Sequence, residues 1–272
     1  MGSRHTLKRL VRAALKPLYH RLFRMVLRIR CWIADRSARP GLEIPLPPAM
    51  LRFRVSESLD EELFFRVGEG CACHIEREVS AMGVDLRRAE RVLDFGCGCG
   101  RTIRWFLADP GATEFHGVDT DKAAVDWCAQ HLAAGRFVTT APEPPLPYGA
   151  EFFDVVYCLS VFTHLDEAMQ DRWLPELSRV LKPGGVLFLS VHGENAAQTL
   201  DASGRELLRT EGFVHTRSQK LKGLLPDWYQ TSWHTQEYII ERVARWFEDV
   251  RYQVVSDGVQ DIVVARKSGL KG

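Results

Sequence analysis

The sequence lacks a long apolar run, a paired-cysteine metal motif and any internal repeat. Of its 272 residues 46% are apolar, but basic residues interrupt every apolar run of the first forty positions, which excludes a membrane span or a secretory signal there. The seven cysteines form no C-x-x-C pair, and Cys71-x-Cys73-His74 has no second ligand pair at zinc spacing, so no metal site is expected. An odd cysteine count without a signal peptide suits a reducing, cytoplasmic compartment.

Acidic residues are almost absent from the start of the chain. Residues 1–40 hold eleven Lys and Arg against one acid, Asp35, whereas residues 41–272 hold 25 bases against 34 acids. A basic arm therefore precedes an acidic body. Because a nucleic-acid-binding face needs clustered positive charge, we expect no nucleic-acid partner for this body.

The arm, residues 1–38, has a helical pattern. Apolar side chains recur from Leu7 to Ile33 with a helical period, and Pro17 is a candidate kink. An amphipathic, Arg-rich, acid-poor helix fits peripheral contact with a membrane surface, and the same composition is typical of a mitochondrial transit peptide. A helix that packs on the body or on a second subunit is the alternative, and the oligomeric state stays open. Residues 39–48 are a Pro-rich linker, and the body is predicted to span residues 49–268.

The run Arg91–Thr102 organises the body. An apolar strand ends at Asp94, glycines follow at 96, 98 and 100, and a helix comes next. Glycine permits positive φ and lets a ligand approach bare backbone. A second acid, Asp119, ends the following strand, where it is placed to hold ribose hydroxyls. This order predicts the mononucleotide-binding half of a doubly wound sheet.

Strands and helices alternate through the body, which predicts an α/β fold with a doubly wound, mostly parallel sheet. Before the glycine loop we expect a short strand at 51–55 and helices at 59–65 and 72–82; residues 195–234 carry no clean period and are assigned as an acceptor-binding insert. Strands are predicted at 91–95, 115–119, 136–140, 153–158, 186–191, 250–255 and 261–266, and helices at 101–108, 121–133, 166–181 and 235–247.

Four segments together resemble the class I S-adenosylmethionine-dependent methyltransferases. They are the glycine loop, Gly117-Val-Asp119, the segment 153–165 with its V-F-T-H-L element, and the segment 177–187 with its V-L-K-P-G-G element. The resemblance implies a Rossmann-like seven-stranded sheet of order 3-2-1-4-5-7-6 with an antiparallel last strand, and S-adenosyl-L-methionine as cofactor. It assigns cofactor binding to Asp94, Phe95, Gly96, Cys97, Gly98, Gly100, Arg101, Asp119, Thr120, Thr140, Ser160 and Phe162.

The same resemblance implies methyl transfer to a small-molecule, glycan or lipid-linked acceptor. A nucleic-acid or protein methyltransferase, or a non-catalytic cofactor-binding protein of the same fold, is the alternative. His164 and His192, at the carboxyl ends of two predicted strands, are candidate general bases for a hydroxyl or ammonium nucleophile. Tyr229, Trp233 and His234, in the insert, are candidates for the acceptor surface, and packing onto the core is the other interpretation of these side chains.

Overall fold

The computed structural model describes residues 2–37, 44–216, 224–226, 228–255 and 260–269, with side chains in the first helix described from residue 18 onward. The helices are α1 Gly2–Ser37, α2 Ala49–Ser56, α3 Glu61–Ala81, α4 Ile103–Leu107, α5 Lys122–His131, α6 Glu167–Val180, α7 Ala202–Glu211 and α8 Gln236–Ala244, with a 3₁₀ turn at Ala196–Thr199. The strands are β1 Arg91–Phe95, β2 Glu114–Asp119, β3 Gly135–Thr139, β4 Phe153–Cys158, β5 Leu181–Val191, β6 Phe213–Thr216, β7 Thr231–His234, β8 Glu248–Gln253 and β9 Asp261–Arg266.

Seven strands form one sheet in the order β3-β2-β1-β4-β5-β9-β8. The first five are parallel, and β9 runs antiparallel to β5 and β8. The predicted fold class and strand order, including the antiparallel last strand, are confirmed. Strands β6 and β7 form a separate antiparallel pair inside the insert.

Each face of the sheet carries its own apolar core because side chains alternate along buried strands. In β4, Val155 and Tyr157 point to one face with α3, α4 and α5. Val156 and Cys158 point to the other face with α6 and α8. Helices thus cover both faces of the sheet. Because β1 to β5 are parallel, their carboxyl ends lie at the same edge of the sheet.

Side-chain caps fix where several helices begin. Asp121, Asp166, Asp201 and Thr235 each accept a hydrogen bond from a backbone amide in the first turn of the helix that follows. Such caps satisfy donors that have no partner inside the helix, and each contributes about 1 kcal/mol. Asp121, which caps α5, follows the last residue of β2, Asp119, by two positions and so lies at the carboxyl edge of the sheet.

Two predictions for residues 49–82 are wrong. Leu51–Val55 lies in helix α2 and not in a strand. The alternation of apolar and basic residues was misleading, because the basic Arg52 is fully buried. Its guanidinium donates to the carbonyls of Pro47 and Leu59 at 3.0 and 3.2 Å, which closes the chain around the helix. The two short helices predicted at 59–65 and 72–82 are one helix, α3, that runs through the glycines between them.

Helix α1 contacts the body through α2. Leu27 and Cys31 are buried in a cluster with Ala49 and with the partly buried Phe53 and Leu224. The helix is continuous past Pro17, where a kink was predicted. No helix within the described ranges is long and apolar enough to span a bilayer. Among those same residues, no cluster of side chains is suited to hold a metal ion.

Two glycines of α3 make a matched test of how closely it packs on α4. A Cβ at Gly68 would lie 2.2 Å from the carbonyl oxygen of Arg101, whereas one at Gly70 would meet nothing within 4 Å. We expect Gly68→Ala to lower the free energy of unfolding by about 1–3 kcal/mol through overpacking. Gly70→Ala should raise it by up to about 1 kcal/mol through helix propensity. Denaturant unfolding measures both, and equal effects would contradict the close approach of the helices.

Candidate active site

The loop after β1 is shaped by three glycines. Gly96, Gly98 and Gly100 have φ of +85°, +52° and +73°, values that side chains rarely permit. The Gly96 amide donates to the carbonyl of Val118 at 2.8 Å, which holds the loop against the end of β2. A Cβ at Gly98 would lie 2.6 Å from Cγ1 of Val55. Helix α2 therefore covers this loop closely.

Asp119, at the end of β2, is hydrogen-bonded to the same loop. Its Oδ2 accepts from the Gly98 amide and its Oδ1 accepts from the Asp121 amide, both at 2.8 Å. Burial raises the pKa of Asp119, and the backbone amides of Asp121 and Gly98 oppose that rise. A carboxylate has about four acceptor positions, so Asp119 keeps capacity for a ligand hydroxyl.

Asp94 is a buried acid beside the loop. Burial raises its pKa to about 8; the Tyr157 hydroxyl and Arg101 oppose this shift, and the nearby Asp119 carboxylate adds to it. A positively charged group close to Asp94 would lower its pKa, because a cation favours the ionised form of a carboxyl. The site is therefore suited to a ligand that brings an ammonium group to Asp94.

These residues open onto a cavity of about 630 Å³. The size falls within the range typical of small-molecule sites. His164 and Tyr229 also line the cavity. Of the side chains and backbone predicted to bind cofactor, ten line it: Asp94, Phe95, Gly96, Cys97, Gly98, Arg101, Asp119, Thr120, Thr140 and Ser160.

Three other predicted site residues lie outside that lining. A Cβ at Gly100 would meet Leu132 and Cys128, so this glycine faces the core under the loop. Phe162 is fully buried in the apolar core beneath β4. His192 lies behind His164, with 6.4 Å between the two ring centroids. These positions support the walls of the cavity.

The structure also corrects the assignment of Trp233 and His234 to the acceptor surface. Trp233 is buried in a small cluster of the insert, and its indole donates to the carbonyl of Ala196 at 3.3 Å. His234 is fully buried, and its Nε2 lies 2.9 Å from the Gln170 amide nitrogen. Burial lowers the pKa of His234 to about 3. Trp233 thus packs β7 within the insert, whereas His234 joins β7 to α6 of the body.

His164 is held in one orientation at the cavity wall. Its Nδ1 lies 2.6 Å from the carbonyl oxygen of Gln230, and its ring stacks on Tyr229 at 3.8 Å between centroids. Because a carbonyl only accepts, Nδ1 carries the hydrogen and Nε2 keeps a free lone pair. Burial lowers the pKa of His164 to about 4. The imidazole is therefore neutral at neutral pH and acts as a hydrogen-bond acceptor.

Ser160 begins the turn that follows β4. Its φ of +57° is uncommon for a residue with a side chain. Its amide donates to the Ser190 hydroxyl at 2.8 Å, and its own hydroxyl is hydrogen-bonded to the Gln260 side chain at 3.1 Å. These contacts join β4, β5 and the start of β9. They fix the turn that carries Val161 and His164 to the cavity.

Two parts of the wall were not predicted from the sequence. Helix α2 contributes Leu51, Arg54 and Val55, and Arg54 pairs with Asp121 at 2.6 Å across the glycine-loop end. Leu224, Leu225 and Pro226 are the second part, and they line the cavity together with Trp228 and the predicted Tyr229. The signal for α2 was the proline just before Ala49, which often precedes a helix. The segment 224–229 has no such pattern.

The lining fits S-adenosylmethionine, the cofactor that the motifs imply. Asp119 offers acceptor positions for a ribose diol, and Asp94 is suited to an ammonium group. Gly96 and Gly98 have no side chain that could fill the space beside the loop. A Cβ at Gly96, for example, would lie 2.3 Å from Cγ2 of Val161. The chemistry of these donor and acceptor groups thus matches the two polar ends of that molecule.

Comparison with known proteins agrees with this geometry. Residues 92–185 match the family described as Methyltransferase domain. The chain is 26% identical over 112 residues to methyltransferase GfsG of Streptomyces halstedii, covering 39% of each protein. It is 24% identical over 203 residues to phthiotriol/phenolphthiotriol dimycocerosates methyltransferase 1 of Mycobacterium ulcerans, covering 72% of this chain and 67% of the relative. It is 31% identical over 115 residues to a tRNA (carboxymethyluridine(34)-5-O)-methyltransferase of Arabidopsis thaliana, covering 42% and 27%.

Two solved structures share the fold. A SAM-dependent methyltransferase from Methanosarcina mazei superposes with a TM-score of 0.51 at 19% identity, covering 66% of this chain and 92% of that one. An S-adenosylmethionine-dependent methyltransferase from Mesorhizobium loti gives a TM-score of 0.53 at 16% identity, covering 74% and 100%.

The aligned regions cover less than two thirds of the first curated relatives: the chain matches 39% of the Streptomyces protein and 27% of the Arabidopsis protein. The family match over residues 92–185 includes the glycine loop, Asp94 and Asp119, which the motifs identified. The resemblance noted from the sequence is confirmed: residues 92–185 match a methyltransferase domain, and the sheet has the fold of S-adenosylmethionine-dependent methyltransferases.

Proposed function

We propose that this protein transfers the methyl group of S-adenosylmethionine to a small-molecule, glycan or lipid-linked acceptor. One observation carries the proposal: one cavity is lined both by Asp94 and Asp119 and by His164 and Tyr229. A cofactor held by the two acids leaves the remaining space for an acceptor. Leu224, Leu225, Pro226 and Trp228 give the cavity an apolar part, which suits an acceptor with an apolar part.

The residues divide into binding and reacting groups. Asp119 holds the ribose hydroxyls, Asp94 holds the ammonium group, and the glycine loop admits the chain between them. The bound cofactor supplies a methyl group already activated on a sulfonium. The protein then aligns the acceptor and excludes water, for which Trp228 and Tyr229 cover the acceptor end. His164 Nε2 accepts the proton of a hydroxyl acceptor as it attacks.

The names of the relatives support several acceptor classes. One name refers to phthiotriol and phenolphthiotriol dimycocerosates, another to ubiquinone biosynthesis, and another to tRNA. Against a nucleic-acid acceptor, residues 41–272 hold 25 bases and 34 acids, and an acidic body disfavours phosphate backbones. We therefore place the acceptor among small molecules, glycans and lipid-linked compounds.

Asp119→Asn tests the cofactor site. The substitution removes the charge that receives the ribose hydroxyls, and hydrogen bonds to charged groups contribute about 1.5–3 kcal/mol each. We expect calorimetry to show at least a tenfold loss of S-adenosylmethionine affinity. Glu114→Gln, at the opposite end of the same strand, is the matched control and should bind as the unaltered protein does. Unchanged affinity in a folded Asp119→Asn variant would remove Asp119 from the site.

Asp94 should make the ligand-free protein less stable as the pH rises. Its pKa is about 8 in the folded chain against an ordinary value of 3.8, so the folded state holds the proton more tightly. That contribution to stability is fully present below about pH 4 and is lost as the pH rises through about 8. The free energy of unfolding of the unaltered protein, minus that of Asp94→Asn, should fall across this interval.

Denaturant unfolding at a series of pH values measures this difference. Saturating S-adenosylhomocysteine should flatten the fall, because a ligand ammonium beside Asp94 lowers its pKa. A difference that stays constant from pH 4 to 8 without ligand would show that Asp94 does not hold its proton in the folded state.

His164→Ala tests proton transfer to the protein. If the acceptor attacks through a hydroxyl, we expect turnover to fall by about a hundredfold or more while cofactor affinity is retained. His192→Ala should cost less, because His192 lies behind His164. Release of S-adenosylhomocysteine is the readout, with hydroxylated small molecules, glycosides and quinols as acceptors. Full turnover by His164→Ala would mean that the proton leaves by another route.

A further inference from the structure

Helix α1 has two apolar faces on opposite sides. Residues 23, 27, 31 and 34 contact the body. Residues 18, 22, 25, 29 and 32 are all between 51% and 64% exposed. At 100° per residue the centres of these two sets lie about 180° apart. The first set is called the docked face and the second the outer face.

The outer face is unusual for this protein. Of the exposed large apolar side chains in the described part of the chain, most lie on α1: Leu18, Tyr19, Leu22, Met25, Val26, Ile29, Trp32 and Ile33. Over these sixteen residues a helix is about 24 Å long. A contiguous exposed apolar surface of this extent marks a site of interaction.

The charges beside the outer face are positive. Arg21 and Arg28 lie on one flank and Arg30 on the other, and all three are exposed. The only acid among the first forty residues, Asp35, accepts a hydrogen bond from the Ala49 amide at 2.6 Å, at the start of α2. The acid thus fastens the arm to the body. The flanks of the outer face present positive charge to solvent.

Two aromatic side chains stand at the margins of the outer face. Tyr19 lies toward the flank of Arg30, and Trp32 lies toward the flank of Arg28, where Arg36 covers its ring at 3.9 Å. Trp and Tyr favour the boundary between lipid headgroups and acyl chains. An apolar stripe with aromatic margins and basic flanks has the composition of a helix that lies in this boundary.

We propose that α1 docks the protein on an anionic membrane through its outer face. A second copy is the competing occupant, but pairing two outer faces would bring basic flanks together, and like charges oppose that contact. An anionic leaflet instead attracts the same arginines.

The docked face links this surface to the cavity. Leu224 packs in the cluster with Leu27 and Cys31, and it also lines the cavity. Helix α2 also connects α1 to the cavity, because it contacts α1 and its Leu51 lines the cavity. A membrane-bound arm therefore holds the part of the cavity wall formed by Leu51 and Leu224 close to the lipid surface. If the proposed function holds, this placement favours an acceptor that resides in the bilayer.

Vesicle flotation with the full chain tests the docking. Vesicles of phosphatidylcholine with about 30% phosphatidylserine should carry the protein upward at low salt, and high salt should weaken the binding. Leu22→Glu/Ile29→Glu should lower the bound fraction at least tenfold. Leu207→Glu/Trp246→Glu is the matched control, because it places two acids at exposed apolar positions away from α1, and it should still float.

The contribution of charge is tested separately. Arg21→Gln/Arg28→Gln should weaken binding to the anionic vesicles by more than about tenfold at low salt, since each basic residue near such a surface contributes about fivefold. Arg88→Gln/Arg209→Gln, also exposed but on the body, should have a much smaller effect. Equal losses for the two pairs would show attraction by net charge alone and overturn the assignment to α1.

Two further readouts decide between occupants and between proposals. If the protein ignores anionic vesicles and sediments as a dimer that Leu22→Glu/Ile29→Glu converts to a monomer, the outer face binds a second copy and the membrane proposal fails. Calorimetry with S-adenosylmethionine is run on every variant without lipid, and all should bind alike. If the unaltered protein does not bind S-adenosylmethionine, the proposed function is contradicted, but the conclusion from the flotation experiment is unaffected.

Discussion

The pair of hydrogen bonds made by Asp119 is the constraint on which the site depends. Its carboxylate joins the glycine loop at Gly98 to the start of α5 at Asp121. One side chain thus sets the distance between the two segments that a nucleoside must touch. The buried Asp94 lies beside it and raises the cost of charge there, which a positively charged ligand would relieve. The loop, the acid and the cap of α5 form one unit.

The cavity is completed by parts of the chain far from this unit in sequence. Helix α2 lies over Gly98 through Val55 and reaches Asp121 through Arg54. Because α2 also carries the docked face of α1, the basic arm and the cofactor end of the cavity share one supporting helix. Helices α1 and α2 therefore separate the outer face of the arm from the cavity.

The parallel sheet and the cofactor end of the site could be predicted because both depend on local patterns. Apolar runs ending at Asp94 and Asp119, and glycines that require positive φ, leave few other structures. Helix α2 was missed although a proline precedes it, since the burial of Arg52 depends on the carbonyls of Pro47 and Leu59, which only the fold brings together. Trp233 and His234 were misassigned because an aromatic residue type does not reveal which way a side chain points.

The most direct measurement is a crystal structure of the full chain with S-adenosylhomocysteine. We expect the ligand to lie along the glycine loop, with its ribose hydroxyls on Asp119, its ammonium group on Asp94 and its sulfur directed toward His164. A ligand bound with its ribose away from Asp119, or a cavity without ligand at millimolar concentration, would contradict this expectation.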